Sequence, residues 1–413
     1  MVEKVESRFV YRKCSVPIVE DYGHVMVSYV FNHPLPIVDF QLQISNSLMK
    51  VTQTEIYKLT IPMEPFVIAT EVSYVAQNTF IRIHTDGGIT GVGECSAFPM
   101  LVGETQNTCF EVAKDLARII KNKDPLLIVE RMNELHNHIA FNSTIKSAFD
   151  LALHDLAAKA VNKPLYKFLG GAKKSIQTDL TIGIGSPAKM ADTAMEFVRN
   201  GVKIIKIKLG KNGKEDIDRV RMIREAVGGT LTLRIDANQG WNFEEAVTTL
   251  QALAAYRIQF CEQPIHHHYD YLLPELRKKS PIPLMADESV FNHHDARRLI
   301  EASACDYINI KLAKSGGLLE ARRIAELAQE HKIPCMIGGM LESRLALTAK
   351  VHFAMSHNNI EFYDLDTCLL GHKIDPVIGG ARYNNYYLEI PDDPGIAADI
   401  DDSFLQSCEN AII

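Results

Sequence analysis

The sequence predicts an α/β protein built on a (β/α)8-type, TIM-like barrel with an α+β capping domain. Three observations support this fold class. Short apolar segments alternate with amphipathic segments from residue 177 onward, which is typical of parallel βαβ units. Five successive charged residues that end such segments are 24 to 28 residues apart, close to one unit of a barrel of about 250 residues. The 413-residue chain, with 46% apolar residues, can also bury the cores of two domains.

The first 48 residues mix Pro, His and Asn without sustained periodicity, so we predict an N-terminal extension of unclear role over residues 1–48. The alternative is that translation starts at Met49. From there a strand pattern begins, and alternation around Asp86, Gly87 and Gly88 predicts a hairpin. Three helices with apolar residues three and four apart are predicted next, over 104–121, 127–138 and 144–161.

The barrel is predicted over residues 173–367, and the capping domain over 49–172 together with 368–413. Ser186 is a suitable N-cap for the first barrel helix, with Pro187 in its first turn and Gly201 after its end. The eight predicted barrel strands are Gln177–Ile182, Ile204–Lys208, Thr232–Asp236, Gln259–Glu262, Pro283–Ala286, Tyr307–Lys311, Pro334–Ile337 and Tyr363–Asp366. An active site would lie at their carboxyl ends.

Asp236, Glu262 and Asp287 end three consecutive predicted strands, so their carboxylates are expected to converge. A single acid in this position is more often a helix cap or an ion-pair partner. Three neighbouring carboxylates without histidine or cysteine favour a hard cation, because like charges held close together are costly without one. The sequence therefore predicts a Mg²⁺ site, with Mn²⁺ as the substitute.

Lys206 and Lys208 share one face of the second strand, and Lys311 ends the sixth strand, which lies opposite in a barrel of eight. Two amines on either side of one carbon could remove a proton from one face and return it to the other. Lys208 and Lys311 would do so if the ammonium of Lys206 and the metal lowered the pKa of the base. Without Lys311, solvated lysines at a strand end would be the better interpretation.

Asp364 and Asp366 share one face of the eighth strand and are expected to bind a substrate ammonium; acids in a turn are the alternative. Three other features are interpreted as non-functional. Gly183 and Gly185 lack the following acid of a dinucleotide site. The three consecutive histidines at residues 266–268 are expected to diverge on a solvated loop, and Lys314 is expected to lie beyond the strand, outside the pocket.

The net charge of −7 and the lack of a basic cluster argue against a nucleic-acid partner. The longest early apolar segment, Val25 to Phe31, is too short for a membrane or signal helix. The eight cysteines are scattered, which predicts buried free thiols in a reducing compartment. We therefore expect a cytoplasmic protein without a membrane partner. The sequence leaves open whether the protein forms a homo-oligomer.

From Met49 to the C-terminus the motifs KIK, DAN, EQP, ADES and NIKLAKSGG resemble the muconate lactonizing subgroup of the enolase superfamily. The DLD at the eighth strand is similar to the mark of its dipeptide epimerases. The resemblance implies that Lys208 and Lys311 form the acid/base pair, with Lys206 assisting. It also implies Mg²⁺ on the three acids described above, the substrate ammonium on the two aspartates of the DLD motif, and a substrate-lining backbone at Gly338 to Met340.

The implied reaction inverts the α-carbon of the second residue of a dipeptide by proton transfer between two lysines. The segment that follows Lys58 contains Glu64 and Glu71 but no basic residue before Arg82. A side-chain carboxylate beside Glu71 would be unpaired, so a small or apolar dipeptide such as Ala-Ala is predicted over Ala-Glu. An L-Ala-D/L-Glu epimerase, an N-acylamino acid racemase, an o-succinylbenzoate synthase and a cycloisomerase are the alternatives. A non-catalytic dipeptide-binding protein is disfavoured.

Overall fold

The computed structural model describes residues 49–413; the extension predicted over residues 1–48, and with it the alternative of a start at Met49, lies outside the described residues. The strands are β1 Val51–Val67, β2 Val72–Thr85, β3 Thr90–Ser96, β4 Leu180–Ile182, β5 Ile204–Lys208, β6 Thr232–Asp236, β7 Ile258–Glu262, β8 Leu284–Ala286, β9 Tyr307–Ile310, β10 Cys335–Gly338, β11 Ile360–Asp364, β12 Val377–Gly379, β13 Arg382–Asn384, β14 Tyr387–Glu389, β15 Ala398–Ile400 and β16 Asn410–Ile412.

The helices are α1 Pro99–Val102, α2 Gln106–Ile120, α3 Ile128–His138, α4 Ser143–Ala160, α5 Leu165–Phe168, α6 Pro187–Arg199, α7 Gly213–Val227, α8 Phe243–Leu253, α9 Leu273–Lys279, α10 His293–Glu301, α11 Leu312–Ser315, α12 Leu318–Glu330, α13 Arg344–Ser356 and α14 Asp402–Leu405. Short 3-10 helices span Ala254–Tyr256, His267–Leu272 and Thr367–Leu369. Within residues 49–413, no helix has the length and apolar character that crossing a membrane requires.

Strands β4 to β11 form one parallel sheet in sequence order, as a barrel requires. The two edge strands approach each other at the closure, where Asp179 N donates to Tyr363 O at 3.3 Å and Leu365 N donates to Thr178 Oγ1 at 2.8 Å. The predicted fold class, an α/β barrel with a capping domain, is therefore confirmed.

Six of the eight barrel strands differ from their predicted bounds, four of them by one residue at one or both ends and the first and last strands by more. The first is confined to Leu180–Ile182, and the last ends at Asp364, so that Asp366 lies beyond it and precedes a 3-10 helix. The first barrel helix is as predicted, since Pro187 begins it and Ser186 Oγ accepts from Lys189 N at 3.5 Å.

A layer of aromatic and charged side chains fills the barrel below its carboxyl end. Arg234, two residues before the end of β6, forms a salt bridge of 2.8 Å with Asp179. Its guanidinium also lies 5.2 Å from the ring centre of Phe260 and 5.4 Å from that of Phe362. Side chains on one face of a strand alternate with period two, so this layer directly supports the residues at the strand ends.

The second sheet is antiparallel, with the order β16-β1-β2-β3, and we call it the capping sheet. The hairpin predicted around residues 86–88 joins β2 to β3. Helix α4 packs on β3 at Gly91 and Gly93, where an added Cβ would collide with the carbonyl oxygens of Ala152 and Ala148. The two glycines therefore permit a backbone contact that any side chain would prevent.

Buried carboxylates connect the capping sheet and its helices to the barrel. Glu94 on β3 accepts from Ser343 N at 2.8 Å and from Ala346 N at 3.1 Å, at the start of α13. Asp150 on α4 accepts from Leu318 N at 2.5 Å, at the start of α12. Acidic groups at helix N-termini are favoured by the free N–H groups there.

The limits predicted between the capping domain and the barrel, at residues 172 and 368, stay a prediction.

Candidate active site

A cavity opens at the carboxyl ends of the barrel strands, beneath the loops of the capping sheet. The cavity is lined by Lys208, Lys311, Met340, Asp364 and Asp366, which the sequence predicted as site residues. Lys206, Asp236, Glu262 and Asp287 are fully buried and belong to the same strand ends. The apolar wall of the cavity consists of Phe66, Ile68, Phe98, Met100, Leu101, Leu341 and Leu370.

The two lysines of the expected acid/base pair lie on opposite walls. Lys208 ends β5, and Lys311 directly follows β9, with β6, β7 and β8 between them in the sheet. Lys208 Nζ donates to Asp236 Oδ2 at 2.6 Å, and Lys311 Nζ donates to Asp287 Oδ2 at 2.6 Å. Each amine is thus held by a different carboxylate and faces the cavity from its own side.

Lys206 is buried beside Lys208 and contacts three carboxylates. Its Nζ lies 2.6 Å from Glu262 Oε2, 2.8 Å from Asp364 Oδ2 and 3.2 Å from Asp236 Oδ2. Burial lowers the pKa of Lys206, but the carboxylates led by Asp364 outweigh burial and raise it well above its ordinary value. Lys206 is therefore a fixed positive charge that links Asp364 to the acids of the central strands.

The three acids expected to bind a cation lie on adjacent strands in register, with Asp236 opposite Glu262 and Glu262 opposite Met285, two residues before Asp287. Glu262 Oε1 accepts from Asn309 Nδ2 at 2.7 Å, while the buried Oε2 contacts Lys206 without making a hydrogen bond. The ligand oxygens of these three acids do not all lie within 4.8 Å of one another. The ammonium of Lys206 lies between Asp236 and Glu262.

The carboxylates share their charge unevenly. Burial, and then the neighbouring Asp236, raise the pKa of Glu262 to about 7. Burial would also raise the pKa of Asp287, but Lys311 and Lys314 outweigh it and lower that pKa. An oxygen-only donor set with a carboxylate that lacks a full partner fits a divalent hard cation.

Acidic neighbours raise the pKa of Lys311. Burial lowers this pKa, but Asp287, Glu262 and Glu288 outweigh burial and raise it above its ordinary value. The expected fall includes the charge of a bound metal ion and stays a prediction.

Asp364 and Asp366 lie together with a third acid, Asp179, and the ligand oxygens of the three are within 4.8 Å of one another. Burial opposes the ionisation of Asp364, yet Lys206 lowers its pKa to about 2. Burial, followed by Asp364, raises the pKa of Asp366 to about 7. Asp366 Oδ2 also accepts from Thr181 N at 2.6 Å. The pair is a concentrated negative region at the cavity wall.

The peptide groups of Met340 already have partners inside the protein. Met340 N donates to Glu342 Oε2 at 2.7 Å, and its carbonyl accepts from Thr367 Oγ1 at 2.7 Å. Met340 and Gly339 line the cavity as expected. The loop that contains them is therefore held in place by its own hydrogen bonds.

Sequence reasoning missed the contact of Lys314 with Asp287, although Lys314 lies beyond the strand and is not among the residues that line the cavity, as predicted. The strand ends at Ile310 and α11 follows within two residues, so one helical turn brings Lys314 back beside Lys311. Lys314 Nζ lies 2.6 Å from Asp287 Oδ1 and 2.5 Å from Asp287 O. The two glycines at positions 316 and 317, both with positive φ, were the sequence signal for this early turn.

Sequence reasoning also missed Glu288 and Asn238, which line the cavity. Asn238 Nδ2 lies 3.3 Å from Glu288 Oε1, and burial followed by Asp287 raises the pKa of Glu288 to about 8. Glu288 directly follows the predicted strand-end acid Asp287, and Asn238 comes two residues after Asp236. Their position after those acids was the available signal.

The prediction that the side chains of the three histidines at residues 266–268 diverge was wrong. His266 is the N-cap of a 3-10 helix, and in this tight turn the ring centres of His266, His267 and His268 lie 4.3 to 4.6 Å apart. One ligand nitrogen from each ring lies within 4.8 Å of the other two.

Glu71, which the substrate prediction placed beside the substrate side chain, accepts a hydrogen bond from Ser73 and is not among the residues that line the cavity.

Two family models match the chain. Residues 51–170 match the N-terminal domain of mandelate racemase and muconate lactonizing enzyme, and residues 189–404 match the enolase C-terminal domain-like family.

Curated relatives cover most of the chain. It is 45% identical over 368 residues to the D-Ala-D/L-Ala epimerase of Cytophaga hutchinsonii, which is 88% of this chain and 100% of that protein. It is 38% identical over 342 residues to the L-Ala-D/L-Glu epimerase of Clostridium acetobutylicum, covering 82% and 95% of the two chains. The hydrophobic dipeptide epimerase of Enterococcus faecalis is 38% identical over 335 residues, covering 80% and 94%.

Solved structures agree in fold. A dipeptide epimerase from Cytophaga hutchinsonii, complexed with Mg and the dipeptide D-Ala-L-Val, has a TM-score of 0.87 at 44% identity and covers 88% of this chain and 100% of its own. The Enterococcus faecalis dipeptide epimerase with Mg and L-Leu-L-Tyr has a TM-score of 0.82 at 35% identity, covering 85% and 99%. With opposed lysines above three strand-end acids and both family models matched, this chain belongs to the mandelate racemase and muconate lactonizing family of the enolase superfamily.

Proposed function

We propose that this protein is a Mg²⁺-dependent dipeptide epimerase, an isomerase that inverts the α-carbon of the second residue of a dipeptide. The observation that carries this proposal is the placement of Lys208 and Lys311 on opposite walls of one cavity, each beside a strand-end acid. The three curated relatives described above, at 45%, 38% and 38% identity, are epimerases of dipeptides, and the two solved relatives described above contain Mg with a dipeptide.

In the proposed reaction, one lysine removes the α-proton and the other delivers a proton to the opposite face. Asp236, Glu262 and Asp287 would hold the cation, which when bound supplies positive charge that favours ionisation of the adjacent carbon acid. Lys206 adds a permanent positive charge on the same side. Buried groups of this kind stabilise developing charge without reorganising solvent.

The cluster also has two more acids than bases. Its carboxylates are Asp236, Glu262, Asp287, Glu288, Asp364 and Asp366, and its ammonium groups are Lys206, Lys208, Lys311 and Lys314. A divalent cation would balance this excess, and the separate acidic group at Asp364 and Asp366 favours a substrate with a free α-ammonium. Asp364 and Asp366 are the proposed partners of that ammonium, because they form the negative region on the cavity wall.

Replacing Asp366 with Asn is expected to lower kcat/KM for a free dipeptide about 10- to 100-fold, because a charge-assisted hydrogen bond contributes about 1.5–3 kcal/mol. Initial rates of epimerisation by polarimetry or chiral chromatography measure the change. The matched control is Asp192→Asn, on the exposed face of α6. N-acetyl-Ala-Ala has no ammonium, so the Asp366 variant should not impair its turnover further; an equal loss on both substrates would contradict the assigned role.

We further propose that the second residue of the dipeptide is small or apolar. The cavity wall offers aliphatic and aromatic side chains from the capping sheet and its loops, among them Ile68, Phe98 and Leu101. Lys208 and Lys311 are the basic residues that line it within the described part of the chain, and both are held by acids. A carboxylate on the substrate side chain would have no free cation to pair with.

A panel of Ala-Ala, Ala-Leu and Ala-Glu in D₂O with Mg²⁺ is expected to show deuterium at the second α-carbon. Exchange should be at least about tenfold faster for the first two, since an unpaired side-chain charge costs more than about 1.4 kcal/mol. NMR of the second α-proton measures it for each peptide. Faster exchange of Ala-Glu would overturn the substrate class, while no exchange with any peptide would overturn the reaction itself.

An N-acylamino acid racemase is the second candidate, because a relative from Bacillus cereus, an N-succinyl-L-Arg/Lys racemase, is 32% identical over 362 residues. That activity would not need Asp364 and Asp366, so the N-acetyl substrate in the Asp366 experiment separates the two functions. We also propose a cytoplasmic location, in keeping with seven free cysteines among the described residues.

A further inference from the structure

The three consecutive histidines His266, His267 and His268 form a compact cluster beside the cavity. Their ligand nitrogens all lie within 4.8 Å of one another. Zinc bound by imidazoles has Zn–N distances of about 2.0–2.1 Å, which places neighbouring nitrogens about 3.4 Å apart. Closing the cluster onto an ion therefore needs ring movements on the order of 1 Å, within the rotamer freedom of half-exposed side chains.

The hydrogen bonds of His267 favour metal binding. Gln239 Oε1 lies 2.7 Å from His267 Nδ1 and also accepts from His267 N at 3.0 Å. The Gln239 oxygen can only accept, so Nδ1 carries the proton and Nε2 keeps its lone pair. Metal-binding histidines characteristically donate their other ring N–H to an oxygen in this way.

The chemistry of the donor atoms selects the kind of metal. Imidazole nitrogens are ligands for borderline metals, whereas Mg²⁺ prefers oxygen. The nearby acid Asp270 already pairs with Arg298 at 2.9 Å.

We propose that His266, His267 and His268 form a second metal site, separate from the carboxylate site, that binds one Zn²⁺ or a similar borderline ion such as Co²⁺. Three imidazoles would leave a position open for water, as in other three-histidine zinc sites. Gln239, which orients His267, also lines the substrate cavity. The site therefore lies at the edge of the active site without using any of the groups assigned to proton transfer.

The test uses the full-length protein saturated with Mg²⁺, so that the carboxylate site is filled. Co²⁺ is titrated and followed by its visible absorption, and Zn²⁺ is titrated against a zinc indicator. The expected result is saturable binding of one ion per chain, with the intense absorption of four-coordinate Co²⁺. His267→Asn should lower the affinity at least about tenfold, and Gln239→Leu about 10- to 100-fold through loss of ring orientation.

His294→Asn is the matched control, since His294 is one of another pair of adjacent histidines, with ring centres 3.9 Å apart, and that pair lacks a third imidazole. It should bind Zn²⁺ like the parent protein. His268→Asn, at an exposed position, covers the case in which His267→Asn does not fold. The proposal is overturned if neither histidine variant weakens binding, or if Mg²⁺-saturated protein shows no saturable Zn²⁺ or Co²⁺ binding.

Discussion

Replacing either Lys208 or Lys311 with Met is expected to lower epimerisation at least about 1,000-fold, within the range by which a positioned acid or base accelerates proton transfer. Each variant loses the amine on one wall of the cavity but keeps the amine on the other. The Lys208 and Lys311 variants should therefore retain α-proton exchange for opposite diastereomers of one dipeptide. Incubating each diastereomer in D₂O and following the second α-proton by NMR measures this directly.

Lys278→Met is the matched control, because this lysine is exposed on α9 and is not among the residues that line the cavity. It should epimerise and exchange like the parent protein. If the Lys208 and Lys311 variants both keep α-proton exchange for the same diastereomer, the two amines do not act on opposite faces of the α-carbon. Retention of full epimerisation by either variant would reject the two-lysine mechanism.

Replacing Glu262 with Gln is expected to weaken Mg²⁺ binding by about two orders of magnitude and to abolish activity at moderate Mg²⁺. The reason is that the variant loses one of the three carboxylate charges that attract the cation, and a hundredfold loss of affinity corresponds to about 2.8 kcal/mol. Its Oε1 can still accept from Asn309 after the substitution, so the local packing is kept. Calorimetric titration of Mg²⁺ without substrate measures the affinity independently of turnover.

Thermal unfolding gives a second measurement for the same variant. A ligand that binds only the folded state raises its stability, so Mg²⁺ should raise the Tm of the parent protein but not that of Glu262→Gln. Without Mg²⁺ the variant should be at least as stable as the parent, since burial and Asp236 make the charge of Glu262 costly. Glu301→Gln, exposed on α10, is the control. Equal Mg²⁺ responses in both variants would place the cation elsewhere.

Strand-end residues could be predicted from the sequence because a parallel barrel fixes their position. Once β5 and β9 are known to be the second and sixth strands, period-two alternation and closure place Lys208 and Lys311 across from each other. The same reasoning brought Asp236 and Glu262 onto adjacent strands in register. Periodicity therefore fixed which residues of the barrel face the cavity.

Contacts made by residues beyond the strands could not be predicted in this way. Lys314 depends on how soon α11 begins, and the histidine cluster depends on a 3-10 turn, neither of which changes the hydrophobic pattern. The ion pair of Lys206 with Asp364 joins residues 158 positions apart across the closure of the barrel. Its geometry follows from barrel closure and side-chain length, which local periodicity does not contain.

The attachment of the capping sheet through Glu94 has a consequence for how this enzyme diversifies. Glu94 is 1% exposed, and one carboxylate joins β3 to the first turn of α13, with Ser343 Oγ and Asn78 Nδ2 as further donors. The capping sheet is thus joined to the barrel at this point, and movement of the sheet away from α13 would break the hydrogen bonds of a buried carboxylate. With the sheet held in this way, substitutions among the loop side chains that line the cavity are expected to change the choice of substrate without moving the groups at the strand ends.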